Sequence, residues 1–249
     1  MGDFMRIAII SGASSGIGRC ITKNIDKLNL DELWLIGRNQ ERLVSLSAEL
    51  SSKVRIFALD LTERSTLENL KNELFKNKIE VEFLIMSAGV GYNGNFEKMD
   101  LEKISNTIDL NCAALTMLTT IVLPYIKQEG KIINIASGAG FLPQPGFATY
   151  AASKAYVISF SRALRQELKS KKINVCAVCP GPVDTNFFSN LENVKEYKKK
   201  FTIQPEKVAL GAIKAASKNK AIYTPTFSMK LVHFISKVIP TSFILKFYK

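Results

Sequence analysis

Short apolar runs alternate along the chain with longer stretches in which apolar residues recur every three or four positions. The first run, Met5-Arg6-Ile7-Ala8-Ile9-Ile10, ends at Ser11-Gly12 and predicts a buried strand. Runs at Leu33–Ile36, Val54–Leu59, Phe83–Met86, Lys131–Ala136 and Ile173–Cys179 predict further strands, the last halted by Pro180-Gly181-Pro182. Ala221–Tyr223 predicts a short final one. Helical spacing covers Gly16–Leu28, Arg42–Leu50, Thr62–Phe75, Leu101–Ile126, Thr149–Lys171 and Pro205–Ser217. Thr62 or a neighbour is the expected cap of the helix it opens, and Asp109-Leu110 the expected interruption of the long one. Strands of this kind between amphipathic helices predict an α/β fold, a doubly wound parallel sheet with helices on both faces. Residues 1–225 read as one domain without internal repeat or linker, and residues 226–249 as a C-terminal extension.

Ser11-Gly12-Ala13-Ser14-Ser15-Gly16-Ile17-Gly18 falls between the first strand and the first helix. Glycines there let the main chain turn tightly and approach a pyrophosphate, while the helix terminus presents unpaired N–H groups. At the head of an alternating α/β pattern this predicts a Rossmann-type dinucleotide site. The same residues fit a G-x-S-x-G nucleophile elbow on Ser14, but a hydrolase needs a base, and the single histidine, His233, lies far off in the tail. NAD-binding chains carry an acid about 20 residues after the glycines. Here the second strand ends Ile36-Gly37-Arg38-Asn39, with Asp31 and Glu32 at its other end. Arg38 would meet a 2′-phosphate, so NADP(H) is expected over NAD(H). The alternative is a solvated loop arginine.

Tyr150-Ala151-Ala152-Ser153-Lys154 opens the long helix after the fifth strand. At i and i+4 the phenol and the ammonium share a face, where the lysine should lower the tyrosine pKa and fit it for acid–base work. Together with the glycine turn, Asp60, Ala88-Gly89, Asn111, Ser137 and Pro180-Gly181, this pair resembles the classical short-chain dehydrogenase/reductase family, in order and spacing over about residues 5 to 223.

The resemblance implies hydride transfer between a nicotinamide cofactor and a carbonyl or alcohol carbon. It makes Tyr150 the proton donor, Lys154 the holder of the nicotinamide ribose, Ser137 the partner of the substrate oxygen and Asn111 the anchor of a proton relay. Gly12, Ser14, Ser15, Gly16, Ile17, Gly18, Arg38, Asp60 and Leu61 would hold the adenosine and pyrophosphate. Ala88, Gly89, Pro180, Gly181, Val183 and Thr185 would line the rest of the cofactor. It also implies a homodimer or homotetramer formed through the two long helices. One departure is Ser87-Ala88-Gly89, where the family has Asn-Ala-Gly; altered local stability is expected there, with the chemistry intact.

Apolar residues are 47% and charged residues 22%, enough for a full core. The four cysteines, Cys20, Cys112, Cys176 and Cys179, form no disulfide framework, and free thiols in a reducing cytoplasm are expected. Cys176 and Cys179 lie three apart on a strand and so face opposite sides, which argues against a metal site.

The net charge of +12 gathers late, with no Asp or Glu after Glu206, and lysine rather than arginine dominates it. That favours a solvated or surface-binding role over nucleic-acid recognition. Phe141, Leu142, Phe147 and the segment Phe187–Phe201, including Tyr197, predict a pocket for a small apolar substrate. Phe227, Leu231, Phe234, Ile235 and Val238 share helical spacing up to Pro240. That helix packs on the body or a partner subunit, or lies on an anionic membrane surface. The uncharged stretch Leu110–Ile126, with its threonines, reads as a buried or interface helix rather than a membrane span.

Overall fold

The computed structural model describes residues 4–191 and 202–246. Seven parallel strands form one sheet in the order β3-β2-β1-β4-β5-β6-β7. They are β1 (Met5–Ser11), β2 (Glu32–Gly37), β3 (Lys53–Ala58), β4 (Ile79–Met86), β5 (Ile126–Ile135), β6 (Asn174–Val178) and β7 (Ile222–Tyr223). The helices are α1 (Gly16–Ile25), α2 (Gln40–Ser47), α3 (Arg64–Lys76), α4 (Leu101–Ile108), α5 (Leu115–Val122), α6 (Ala148–Glu167), α7 (Pro205–Ser217), α8 (Phe227–Val238) and α9 (Thr241–Leu245). This is the expected single-domain Rossmann fold.

Period-two alternation places each strand between two cores. Ile7 and Ile9 of β1 pack with Trp34, Leu70, Leu118 and Val157 on one face. Ala8 and Ile10 pack with Leu33, Leu43, Val208 and Ala212 on the other. Cys176 and Cys179 fall into opposite cores, as their spacing requires. β1 pairs with β2 on one side and β4 on the other, so the order of connection reverses between β1 and β4. Loops leaving the carboxyl ends of those two strands diverge and open a crevice.

Some boundaries differ from the sequence reading. β5 starts at Ile126, because the pairing with β4 jumps from Val81–Ile126 to Phe83–Lys131 and brings the earlier residues into the strand. Thr62 does not cap α3. Its main-chain N–H and hydroxyl both donate to Asp60 Oδ1, at 2.9 and 2.8 Å, and α3 begins after Glu63 with no side-chain cap. The stretch Leu101–Tyr125 is long and apolar enough to cross a membrane by length and composition. It is interrupted by a π-helical turn, Asp109–Ala114, where a break was expected, and Leu115, Leu118 and Val122 are buried in the core. Thr226 caps α8 by accepting from the Met229 N–H, and the helix ends before Pro240.

Candidate active site

At the end of β1 the main chain turns through Gly12 (φ +65°) and Gly16 (φ +51°), a left-handed geometry that disfavours side chains. A Cβ on Gly12 would sit 2.6 Å from the Ala88 nitrogen, so the turn closes against the end of β4 only as glycine. Ser15 precedes α1 in an extended conformation and its side chain makes no capping hydrogen bond. The first amides of α1 are thus left for an outside acceptor, and Gly16 and Ile17 face a cavity of about 1060 Å³.

That cavity runs along the carboxyl ends of the strands. Ser14, Ser15, Arg38, Arg42, Asp60 and Leu61 form one end of its wall. Asp60 is held below the usual carboxylate range: burial opposes this, but the two Thr62 hydrogen bonds and the Arg38 charge outweigh it. Arg38 reaches Asp60 Oδ2 at 3.7 Å and is otherwise well exposed. Arg42, one helical turn on, was not singled out in the sequence; its regular position in α2 hid a guanidinium that borders the cavity and has no ion pair among the described residues. Asn39 caps α2 by accepting from the Arg42 N–H at 2.8 Å, fixing the start of that helix beside Arg38.

Midway along the cavity, Ser137, Tyr150 and Lys154 meet. Ser137 follows β5, and its hydroxyl accepts from the Ala139 N–H at 3.1 Å. Tyr150 and Lys154 lie a turn apart on α6 and are both buried. Lys154 Nζ donates to the Ile135 carbonyl at 2.9 Å and lies 5.8 Å from the Tyr150 ring centroid. The expected lowering of the Tyr150 pKa is not found. Burial pushes the phenol up to about 12, against the opposing pull of the Ser137 hydroxyl. Burial also drives Lys154 down to about 8. With its ammonium tied to a carbonyl and itself desolvated, the lysine does not outweigh the cost of a buried phenolate.

Ala88, Gly89, Pro180, Gly181, Val183 and Thr185 line the same cavity. Two expected residues stand behind the wall. Gly18 packs α1 against Gly12 and the Ser87 hydroxyl. Asn111, in the π-helical turn, is buried and clasps the main chain of one residue on both sides. Its Oδ1 accepts from the Val90 N–H at 2.9 Å, and its Nδ2 donates to the Val90 carbonyl at 2.8 Å and to Ser153 Oγ at 2.9 Å. A Cβ on Gly89 would lie 3.0 Å from Asn111 Oδ1 and 3.2 Å from Lys154 Nζ, so the main chain at Gly89 runs close to both side chains. Ser87 leaves the joining of β1 to β4 to another residue: the Ser87 and Ala88 N–H groups donate to Ser11 Oγ at 3.1 and 3.3 Å. Ser11 reads in sequence only as the end of a strand.

The rest of the wall carries apolar side chains together with Asn93, Gln144, Asn186 and Ser189. Leu142, Phe147 and Phe187 are there as expected, with Phe147 stacked 4.4 Å from Tyr150 and Phe187 tilted 5.3 Å from it. Phe141 is not; it turns away and stacks on His233 at 4.4 Å. The imidazole that a hydrolase reading of Ser14 requires is therefore engaged with Phe141 and absent from the cavity wall. Tyr197, Phe201 and the Phe188 side chain lie outside the described residues. Met229 and Val232 of α8 complete the wall, a contribution that helical spacing in the tail did not reveal.

The short chain dehydrogenase family profile matches residues 6–196. The NADP-dependent 3-hydroxy acid dehydrogenase of Escherichia coli is 32% identical over 213 residues, 82% of this chain and 86% of the relative. The solved short-chain dehydrogenase from Sphingobium yanoikuyae in complex with NADPH aligns over 98% of this chain and 96% of its own, with 26% identity and a TM-score of 0.81. The bulky-bulky ketone specific alcohol dehydrogenase from Comamonas testosteroni aligns over 98% and 94%, with 26% identity and a TM-score of 0.78. A profile spanning most of the chain, on this fold and with this tyrosine–lysine pair, makes the protein a member of the short-chain dehydrogenase/reductase family of oxidoreductases.

Proposed function

We propose that the protein is an NADP(H)-dependent carbonyl reductase, or alcohol dehydrogenase in reverse, acting on a small apolar substrate. The observation that carries this reading is the placement of Tyr150, flanked by Ser137 and Lys154, between a phosphate-accepting turn and an apolar pocket in one cavity. Bound NADPH would supply the hydride delivered to the carbonyl carbon. The chain's residues do the rest. Uncapped α1 amides and the glycine turn take the pyrophosphate, Asp60 the adenine, and Lys154 the nicotinamide ribose. Ser137 orients the substrate oxygen, and Tyr150 gives it a proton. In the direction of reduction Tyr150 is the proton donor, and burial, which favours the neutral phenol, keeps that proton on it until the substrate oxygen takes it. Asn111 acts as a positioning residue through Val90 and Ser153.

Solved relatives of the fold hold NADPH or NADH, so the preference rests on this chain's own Arg38 and Arg42. Two guanidiniums on the cavity wall, with Arg38 3.7 Å from Asp60 and no acid at the end of β2, favour a 2′-phosphate. Self-association is assigned to the outer face of α4–α6, where Leu101, Ile108 and Tyr156 are exposed. A reducing cytoplasm suits the four free cysteines. The test is turnover of apolar aldehydes and ketones with NADPH by the wild type and by Tyr150→Phe. Turnover surviving that change would refute the assignment.

A further inference from the structure

The helix α8 has two apolar faces with different surroundings. On the inner face Met229 and Val232 wall the cavity, and Met229 fills the space where a side chain on Gly138 or Gly181 would sit. Gly138 adjoins Ser137, so α8 is seated directly on the rim of the active site. On the outer face Phe227 is 80% exposed, Leu231 48%, Phe234 63% and Val238 63%. Steps of four, three and four residues put them on one stripe. Lys230 and Lys237 run along one edge of that stripe.

A contiguous stripe of large apolar side chains marks a surface made to be covered. The lysines give the stripe a positive border, and the chain has no acid after Glu206 to offset it. An anionic bilayer meets both requirements, taking the apolar stripe into its interface and drawing the lysines to its headgroups.

We propose that the outer face of α8 docks on an anionic membrane surface, and that the cavity takes an apolar carbonyl or alcohol dissolved in that membrane, entering past Met229 and Val232. The docking half stands on α8 itself, whereas the substrate half rests on the reductase reading above.

The test is co-sedimentation of the full-length protein with vesicles of phosphatidylcholine mixed with phosphatidylglycerol, and with phosphatidylcholine alone. The wild type is expected to pellet with the mixed vesicles and far less with the neutral ones. Phe227→Ser with Phe234→Ser should weaken vesicle binding by about tenfold or more, and Lys230→Gln with Lys237→Gln should weaken it and flatten its salt dependence. Both double variants should titrate with NADPH, and reduce a short water-soluble ketone, as the wild type does. Reduction of a long-chain aldehyde presented in the mixed vesicles should fall with the loss of binding.

A wild type that stays in the supernatant, or variants that pellet like it, would overturn docking. So would a serine variant that turns a dimer into a monomer in sedimentation velocity while vesicle binding is unchanged. Unaltered reduction of the vesicle-borne aldehyde by a variant that no longer binds would overturn the membrane-substrate half. Vesicle binding as expected without turnover of either substrate would instead refute the reductase reading and, with it, the substrate half.

Discussion

The two ends of the cavity are built from different materials. At the nucleotide end the working groups are largely main chain: a turn that only glycine closes, and helix amides left uncapped behind Ser15. At the substrate end they are side chains, Leu142, Phe147, Phe187, Met229 and Val232, drawn from three separate segments. Main-chain geometry admits few residue types, so the first end is rigidly specified. Apolar lining admits many, so the second can be remade without disturbing the fold. Tyr150, Ser137 and Lys154 stand where the two ends meet.

The largest expected effect lies at that junction. Tyr150→Phe should lower kcat by about 10³-fold or more, the scale of a lost proton donor, with NADPH affinity kept. A change in NADPH affinity to match would place the phenol in binding instead. Next comes Lys154→Met. Burial lowers Lys154 from 10.5 to about 8, so at pH 7 its charge is carried at a cost in the folded state that the unfolded chain does not bear. The neutral side chain should therefore be favoured over the lysine at pH 7 by that burial cost less the lost hydrogen bond to the Ile135 carbonyl, read from the urea midpoint, while turnover collapses. The sign is set by the lowered value: wild-type stability should rise with pH from about 8 towards 10.5, closing the gap to the variant. A variant less stable than the wild type at pH 7 would contradict the burial argument.

At the nucleotide end, Arg38→Ala should weaken NADPH by about 10- to 100-fold, and Arg42→Ala by about 3- to 10-fold, with NADH barely changed, measured by fluorescence titration. The smallest effect belongs to the substrate end. Met229→Ala should raise KM for an apolar ketone by about 3- to 10-fold through lost apolar contact, with kcat and NADPH affinity near wild type. A comparable loss of NADPH affinity would show that the two ends are not separable.

The same contrast explains what the sequence made legible. Gly12, Gly16, Tyr150 and Lys154 are readable as neighbours on one cavity because sterics or helical spacing demands those residue types there. The central strands were readable because burial on both faces leaves apolar runs such as Ile7–Ile10 and Leu33–Ile36. Arg42 went unnoticed because an arginine in the first turn of a helix is ordinary until a cavity is seen beside it. Met229 and Val232 looked like any helical stripe, and nothing local shows that α8 folds back over Ser137. Asn111 was readable as a site residue, but its clasp on Val90 depends on a tertiary approach of the π-helical turn to the loop after β4. The Tyr150 expectation failed for a related reason: spacing puts the lysine near, but burial of both groups decides the sign.

The most direct test of the central claim is a parallel fluorescence titration of the wild-type protein with NADPH and NADH. NADPH should bind at least about tenfold tighter than NADH, from the additional charge-assisted contacts of Arg38 and Arg42. Equal affinity would remove the 2′-phosphate role of the arginines. Binding of neither would contradict the assignment of the glycine turn and of the cavity as a whole.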